Sequence, residues 1–459
     1  MIRLALFWLV LIVSAAESGR NASAQAIPSA SPSPIPQERW NVHVQATNTQ
    51  YYNGNFSAAY SGAQSLYPLA YTQKTVDVTF FLGARLWKGA AAYLNPEIDQ
   101  GFGLGNPGPA GSYNGTFGSA GYFSGEAFKV GSFSPYGRMQ RYFIRQTFDL
   151  VGERQALESD ENQLAGSIAA DNVILTLGKF SVVDVFDGNA YAHDPKRDFL
   201  NWSIIDMGSF DYAADAWGFT WGLSAEYTKG LSTLRGGMFQ LSARPNVIAI
   251  EKTPLLQWMP ILEFERRTSF FGAHPGSIKA LVYGDNGYMA PYAQATAGAL
   301  GTGSPPSFAP NRNAKYWKVG AGINLQQEVA PNVGVFGRLS AMNGTWEAYD
   351  YTEIDRSLMG GVSLNGALWH RPFDTVGIAG ALNGISRPAQ GYYGAGGLGI
   401  TIGDGGLSYG GEQILEAYYQ LGLGKTFAVT GDYQHVVNPG YNTVRGPVSV
   451  FALRMHAQL

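Results

Sequence analysis

The side chains best able to act on a solute are charged residues spaced two or four apart inside otherwise apolar runs. Arg141 and Arg145 share one side of Arg141-Tyr142-Phe143-Ile144-Arg145, opposite Tyr142 and Ile144. Glu263, Glu265 and Arg267 share a side opposite Leu262 and Phe264, Arg338 lies opposite Gly337 and Leu339, and Glu416 opposite Leu415 and Ala417. Arg454 and His456 lie opposite Leu453, Met455 and Ala457. Successive side chains of a strand point to opposite faces, so each of these charges sits on a wet face backed by an oily one. Arginine and glutamate on such a face can form a structural ion-pair network, a ring that selects among dissolved solutes, or both.

Catalytic and cofactor chemistry has weaker footing. His193-Asp194 could belong to a hydrolase, which would also need a nucleophilic serine. No Gly-x-Ser-x-Gly elbow accompanies it, and Asp194-Pro195 reads better as a turn. Two dinucleotide-type glycine patterns occur, Gly103 to Gly108 and Gly394 to Gly399. Such a site needs a helix N-terminus at the pyrophosphate. Pro107 and Pro109 crowd the first pattern, the second runs into Ile400-Thr401-Ile402, read as a strand, and 59 glycines make chance matches expected. His43, His193, His274, His370, His435 and His456 show no metal-ligand spacing. The absence of cysteine removes disulfides, a Cys-zinc site and a thiol nucleophile. The sequence therefore assigns no catalytic residue, no metal site and no cofactor.

The elements that must position the charges alternate with period two. Trp40, Val42, Val44 and Ala46 face away from Asn41, His43, Gln45 and Thr47; Val76, Val78, Phe80 and Leu82 face away from Asp77, Thr79 and Arg85. The same pattern predicts strands over Trp217 to Thr228, with Trp217, Phe219, Trp221 and Leu223 on the apolar side, and over Trp317 to Gln326. The last residues put Phe451, Leu453, Met455, Ala457 and Leu459 on one side and Arg454, His456 and Gln458 on the other, closing a sheet against the first strand near Trp40. Each run is about ten residues, the length of a tilted strand that crosses a bilayer.

Composition agrees with that reading. Charged residues are 14% of the chain, against roughly 25% in ordinary soluble domains. A mean hydropathy of -0.08 excludes a bundle of membrane helices, each of which needs about 20 apolar residues in a row. A membrane β-barrel reconciles the two facts, since only alternate residues need be apolar, and a charge facing lipid would cost about 2–4 kcal/mol near the midplane. The expectation is an all-β fold, a transmembrane antiparallel β-barrel whose listed charges line the pore. A net charge of -3 gives no basic surface for a nucleic-acid partner. Outer-membrane lipids are the expected surroundings.

Tyr51, Tyr52, Trp87, Trp217, Tyr316, Trp317, Tyr418 and Tyr419 fall near strand ends, as interfacial girdles do. Long Gly/Pro/Asn-rich stretches over Asn95 to Gly125, Asp187 to Ala216, Tyr288 to Asn313 and Ser386 to Gly411 alternate with short turns such as Ala330-Pro331-Asn332. Short periplasmic turns and long extracellular loops would produce that asymmetry. At the amino terminus Arg3, the apolar run Leu4 to Ala16 and Ala24-Gln25-Ala26 read as a cleaved signal peptide over residues 1–26. Residues 27–38 form a Pro/Ser-rich tether and residues 39–459 the barrel. That organisation places the protein in the outer membrane of a Gram-negative bacterium.

Three stretches, Gly178 to Gly222, Asp404 to Leu423 and Asn438 to Leu459, resemble the carbohydrate-selective porin family typified by OprB. Shorter pieces such as "SGEAFKVGSF", "RYFIRQTF" and "YTEIDRSLMGGVSL" fall in the same order, so the resemblance covers almost the whole mature chain. It implies a sixteen-stranded barrel whose pore, narrowed by infolded loops and lined by Arg, Glu and aromatics, passes monosaccharides or short oligosaccharides by diffusion. Leu459 departs from the family's usual terminal Phe, which bears on assembly. Mixed charges beside Tyr and Trp suit neutral polyols, whose hydroxyls pair with charged groups while their C–H faces lie on rings. A general or ion-selective porin and an outer-membrane hydrolase remain as alternatives, and a homo-oligomer is left open.

Overall fold

The computed structural model describes residues 37–105, 119–126 and 131–459. The expected signal peptide and residues 27–36 of the tether lie outside the described residues, as does the second half of the Gly103 to Gly108 pattern. The strands are β1 (Trp40–Asn53), β2 (Tyr71–Trp87), β3 (Ala90–Gly101), β4 (Ser132–Asp149), β5 (Arg154–Leu157), β6 (Gly166–Ala169), β7 (Asn172–Phe180), β8 (Thr220–Lys229) and β9 (Ser232–Gln240). They continue as β10 (Trp258–Thr268), β11 (Gly276–Tyr288), β12 (Lys315–Ala330), β13 (Val333–Met342), β14 (Arg356–Asn365), β15 (Thr375–Gly384), β16 (Glu412–Leu423), β17 (Phe427–Val437) and β18 (Val448–Gln458). Sixteen of them close into one antiparallel barrel, while β5 and β6 pair only with each other. No helix among the described residues is long and apolar enough to cross a membrane.

Period two explains the wall. Leu262, Phe264, Leu339, Leu358, Leu382, Leu415, Phe451 and Leu453 are exposed on the outer surface, while Thr79, Glu263, Asn324, Arg338, Glu416 and Arg454 are buried inside. β18 closes on β1 with Gln458 opposite Gln45 and Val450 opposite Asn53. The Leu459 N–H donates to Val44 O at 2.8 Å. Closure leaves no unpaired edge in the hydrocarbon, where unsatisfied backbone groups cost several kcal/mol each.

Connections at one end are short, such as residues 230–231 and 331–332, where Gly230 (φ 56°) and Asn332 (φ 66°) take left-handed conformations. At the other end they are long, and the segment over residues 181–219 turns into the lumen. It packs with 119–126 and 343–355 around a buried aromatic cluster that includes Tyr122, Trp202, Phe210, Tyr212, Tyr283 and Tyr351.

Several expected features differ. The stretch from Asn95 does not begin a loop: β3 runs through Pro96 to Gly101. The ladder with β4 slips there, Asn95 facing Arg141 and Pro96 facing Met139, which accommodates a residue with no N–H to give. The strand expected from Trp217 begins at Thr220, because Gly218, at φ 95°, breaks the alternation. Trp217 and Phe219 therefore face the lumen, whereas Trp221 and Leu223 face outward. Ile400 to Ile402 is irregular chain, not a strand. Among the expected girdle residues, Tyr52, Trp87, Trp317 and Tyr419 are exposed, while Tyr51 and Tyr418 are buried inside.

Candidate functional site in the barrel lumen

A segment folded into a barrel must satisfy backbone groups that water no longer reaches. The inward charges of the wall do this. Glu416 accepts from the amides of Leu200 at 2.5 Å and Asn201 at 3.0 Å. Glu263 accepts from Asp187 N at 2.8 Å. Arg454 Nη1 donates to the carbonyls of Pro195 at 2.7 Å and Asp198 at 2.8 Å. Arg338 donates through Nε to Asp187 Oδ1 at 3.0 Å, and through its Nη atoms to the carbonyls of Ile204, Asp187 and Ala192. Lys318 Nζ reaches Asp211 Oδ2 at 2.9 Å, whose carboxylate also accepts from the amides of Tyr349, Asp350 and Tyr351.

Glu263, Arg338, Glu416 and Arg454 thus lie beneath the infolded segment, where the sequence placed them against open water. Glu265 joins Glu226 and Glu263 around Arg235, at 2.8 to 3.0 Å. Arg267 is exposed at the short-turn rim and donates to Gly230 O at 2.6 Å. His456 Nδ1 meets Thr47 Oγ1 at 3.0 Å inside the wall.

Arg141 and Arg145 line a cavity of about 400 Å³ between the wall and the segment 181–219. Arg141 forms a bidentate pair with Asp184, both contacts at 2.7 Å, the geometry in which guanidinium and carboxylate are held most firmly. The Arg145 guanidinium stands 5.5 Å from the Tyr93 ring centroid and 5.3 Å from that of Phe143.

Most other residues of the cavity come from connections rather than strands, and strand parity says nothing about them. Trp202, on the helical turn Trp202–Ile205, stacks on Tyr122 at 5.3 Å and meets Tyr351 edge-on at 5.5 Å. Tyr212 lies 4.9 Å from Tyr351, and all four rings border the cavity. Trp202 Nε1 is buried with no hydrogen-bond partner among the described residues. Such donors are rare unless something else supplies the acceptor. Trp217 faces the same space with the Arg138 guanidinium 3.4 Å from its ring centroid. The only hint of these residues in the sequence is the density of aromatics and aspartates in 180–219.

Polar groups complete the lining. Lys196 Nζ pairs with Asp77 at 2.6 Å. His193 Nδ1 stands 3.4 Å from Asp206 Oδ1; burial opposes its charged form, but the Asp206 carboxylate outweighs that and pushes the ring up to about 9. Asp194 accepts from the amide of Lys196 at 2.9 Å, and its carbonyl from those of Arg197 and Asp198, the arrangement of a turn. Among the described residues no group of three or more His, Asp or Glu side chains is placed to hold a metal ion. The helix Arg387–Gly394 precedes the second glycine pattern rather than following it, so no helix N-terminus meets a phosphate there.

Rings, ion pairs and an orphaned donor around a water-accessible space inside a sixteen-stranded barrel define a porin of the outer membrane. The sequence model of the carbohydrate-selective porin, OprB family, matches residues 63–459, and the chain belongs to that family. Among solved structures, OprB of Pseudomonas putida at high pH matches with a TM-score of 0.66 and 14% identity, over 92% of this chain and 94% of that one. The channel DcaP of Acinetobacter baumannii gives a TM-score of 0.48 and 9% identity, over 92% and 97%. No curated protein matches the sequence.

Proposed function

We propose that the protein passes neutral carbohydrates, monosaccharides or short oligosaccharides, by passive selective diffusion into the periplasm. The observation that carries this reading is the juxtaposition, on one cavity, of the Trp202, Tyr212 and Tyr351 rings with the Arg141–Asp184 pair and an unpartnered indole N–H. A pyranose offers an apolar C–H face to a ring and hydroxyls that both donate and accept. Fully paired charges are poor binding sites for free ions, yet their remaining lone pairs and N–H groups still serve hydroxyls.

In this reading the long-loop end faces outside and the short-turn end faces the periplasm. Residues 1–26 are removed on export, residues 27–38 tether the barrel, and lipids cover its apolar belt. No energy coupling, cofactor or catalytic step is needed. Swelling of liposomes containing the purified protein tests the reading: glucose should enter faster than a zwitterionic solute of equal size, and equal rates would refute the preference.

A further inference from the structure

The connection between β4 and β7 is longer than joining neighbouring strands requires. A two-residue turn would do, yet residues 150–171 pair as β5 and β6 and extend to a tip where Asp160 and Gln163 exchange backbone hydrogen bonds at 3.1 and 3.0 Å. That tip borders the lumen cavity although it starts from the short-turn end. Glu161 Oε1 accepts from Arg197 Nη2 at 2.5 Å, and Arg197 belongs to the segment that descends from the opposite end.

The tip is built in. Asn95 Nδ2 donates to Asn162 Oδ1 at 2.9 Å and Arg145 Nη1 to Asn162 O at 2.9 Å. Asn41 Nδ2 donates to Gln163 O at 2.8 Å. Leu164 is buried in one cluster with Tyr93 and Phe143, and it lies over Gly83, where a Cβ would stand 3.3 Å from Leu164 Cδ2 and 2.5 Å from Asn41 Oδ1. A hairpin held by buried side chains from three wall strands is positioned, not merely tolerated.

We propose that the β5–β6 hairpin is a second filter, at the exit of the channel, in which Glu161 meets Arg197 and the pair narrows the passage below the aromatic cavity. Glu161 and Arg197 are then specificity-determining residues that limit which polyols leave. The proposal rests on the carbohydrate reading only for the identity of the solute.

Glu161→Ala and Arg197→Gln each open the latch from one side, so failure of one to fold leaves the other. Single channels inserted in known orientation are probed with polyethylene glycols of graded size from the short-turn side, then with glucose. In both variants conductance should rise roughly twofold and larger polymers should enter from that side, while glucose still blocks from the loop side. Unchanged conductance and polymer cut-off in folded variants would overturn the filter. If glucose fails to block even the unaltered protein, the carbohydrate reading falls, and the polymer cut-off still decides on the hairpin.

Discussion

The Arg338 guanidinium on β13 and the Asp187 carboxylate at the head of the infolded segment meet at 3.0 Å, and both side chains are essentially inaccessible to water. Asp187 holds a left-handed backbone, φ 59°, and its carboxylate also accepts from Asn324 Nδ2 at 2.6 Å and from the amide of Met207 at 2.7 Å. One wall arginine thus fixes the point where the chain leaves the wall, and so the position of everything downstream of it on the cavity.

Replacing Arg338 with Met should free that point. Removing one partner of a buried pair costs about 3–5 kcal/mol because the other charge is left uncompensated. The barrel should still form, since its ladders are untouched, but residues 181–219 should become sensitive to protease and conductance should rise. A variant as resistant as the unaltered protein would show that the clamp is not needed.

Trp202→Phe keeps a ring and removes only the orphaned N–H. A hydrogen bond to a neutral hydroxyl contributes about 1 kcal/mol, so the glucose concentration for half-block should rise roughly fivefold. Open-channel conductance without sugar should stay the same. Unaltered half-block would mean that sugar does not use this donor.

His193 makes the segment's hold sensitive to pH. Burial opposes the cation, but Asp206 raises the ring to about 9, above the roughly 6.5 of an unfolded histidine. A raised folded value means that the stabilisation is complete below about 6.5 and is lost as pH climbs through about 9. Protease resistance of 181–219 should therefore fall across that window, and His193→Gln should remove the dependence. A flat profile in the unaltered protein would contradict this.

The break at Gly218 can be read with single cysteines, since the chain has none of its own. Trp217→Cys should react with a water-soluble maleimide, as should Arg145→Cys, while Trp221→Cys should stay shielded in lipid until detergent is added. Equal labelling at 217 and 221 would restore the uninterrupted strand.

Barrel and register were legible in the sequence because lipid imposes period two wherever a strand crosses it. Leu262 and Phe264 against Glu263 and Glu265 need no tertiary knowledge. What parity cannot tell is whether an inward charge meets water or protein. Glu416 and Arg454 look alike in the sequence to Arg141, yet the first two serve backbone groups of residues 195–201, more than 200 positions away, and only the third borders the cavity. Trp202, His193 and Glu161 lie on connections, where no period exists. Their placement follows from long-range hydrogen bonds that local pattern does not encode.

The most direct test of the account is single-channel conductance in a planar bilayer, titrated with glucose and short maltooligosaccharides. Saturable closure of the open channel by sugar, at concentrations where a zwitterionic solute of similar size has no effect, is the predicted result. Steady channels that sugar leaves untouched would keep the barrel and contradict carbohydrate selectivity.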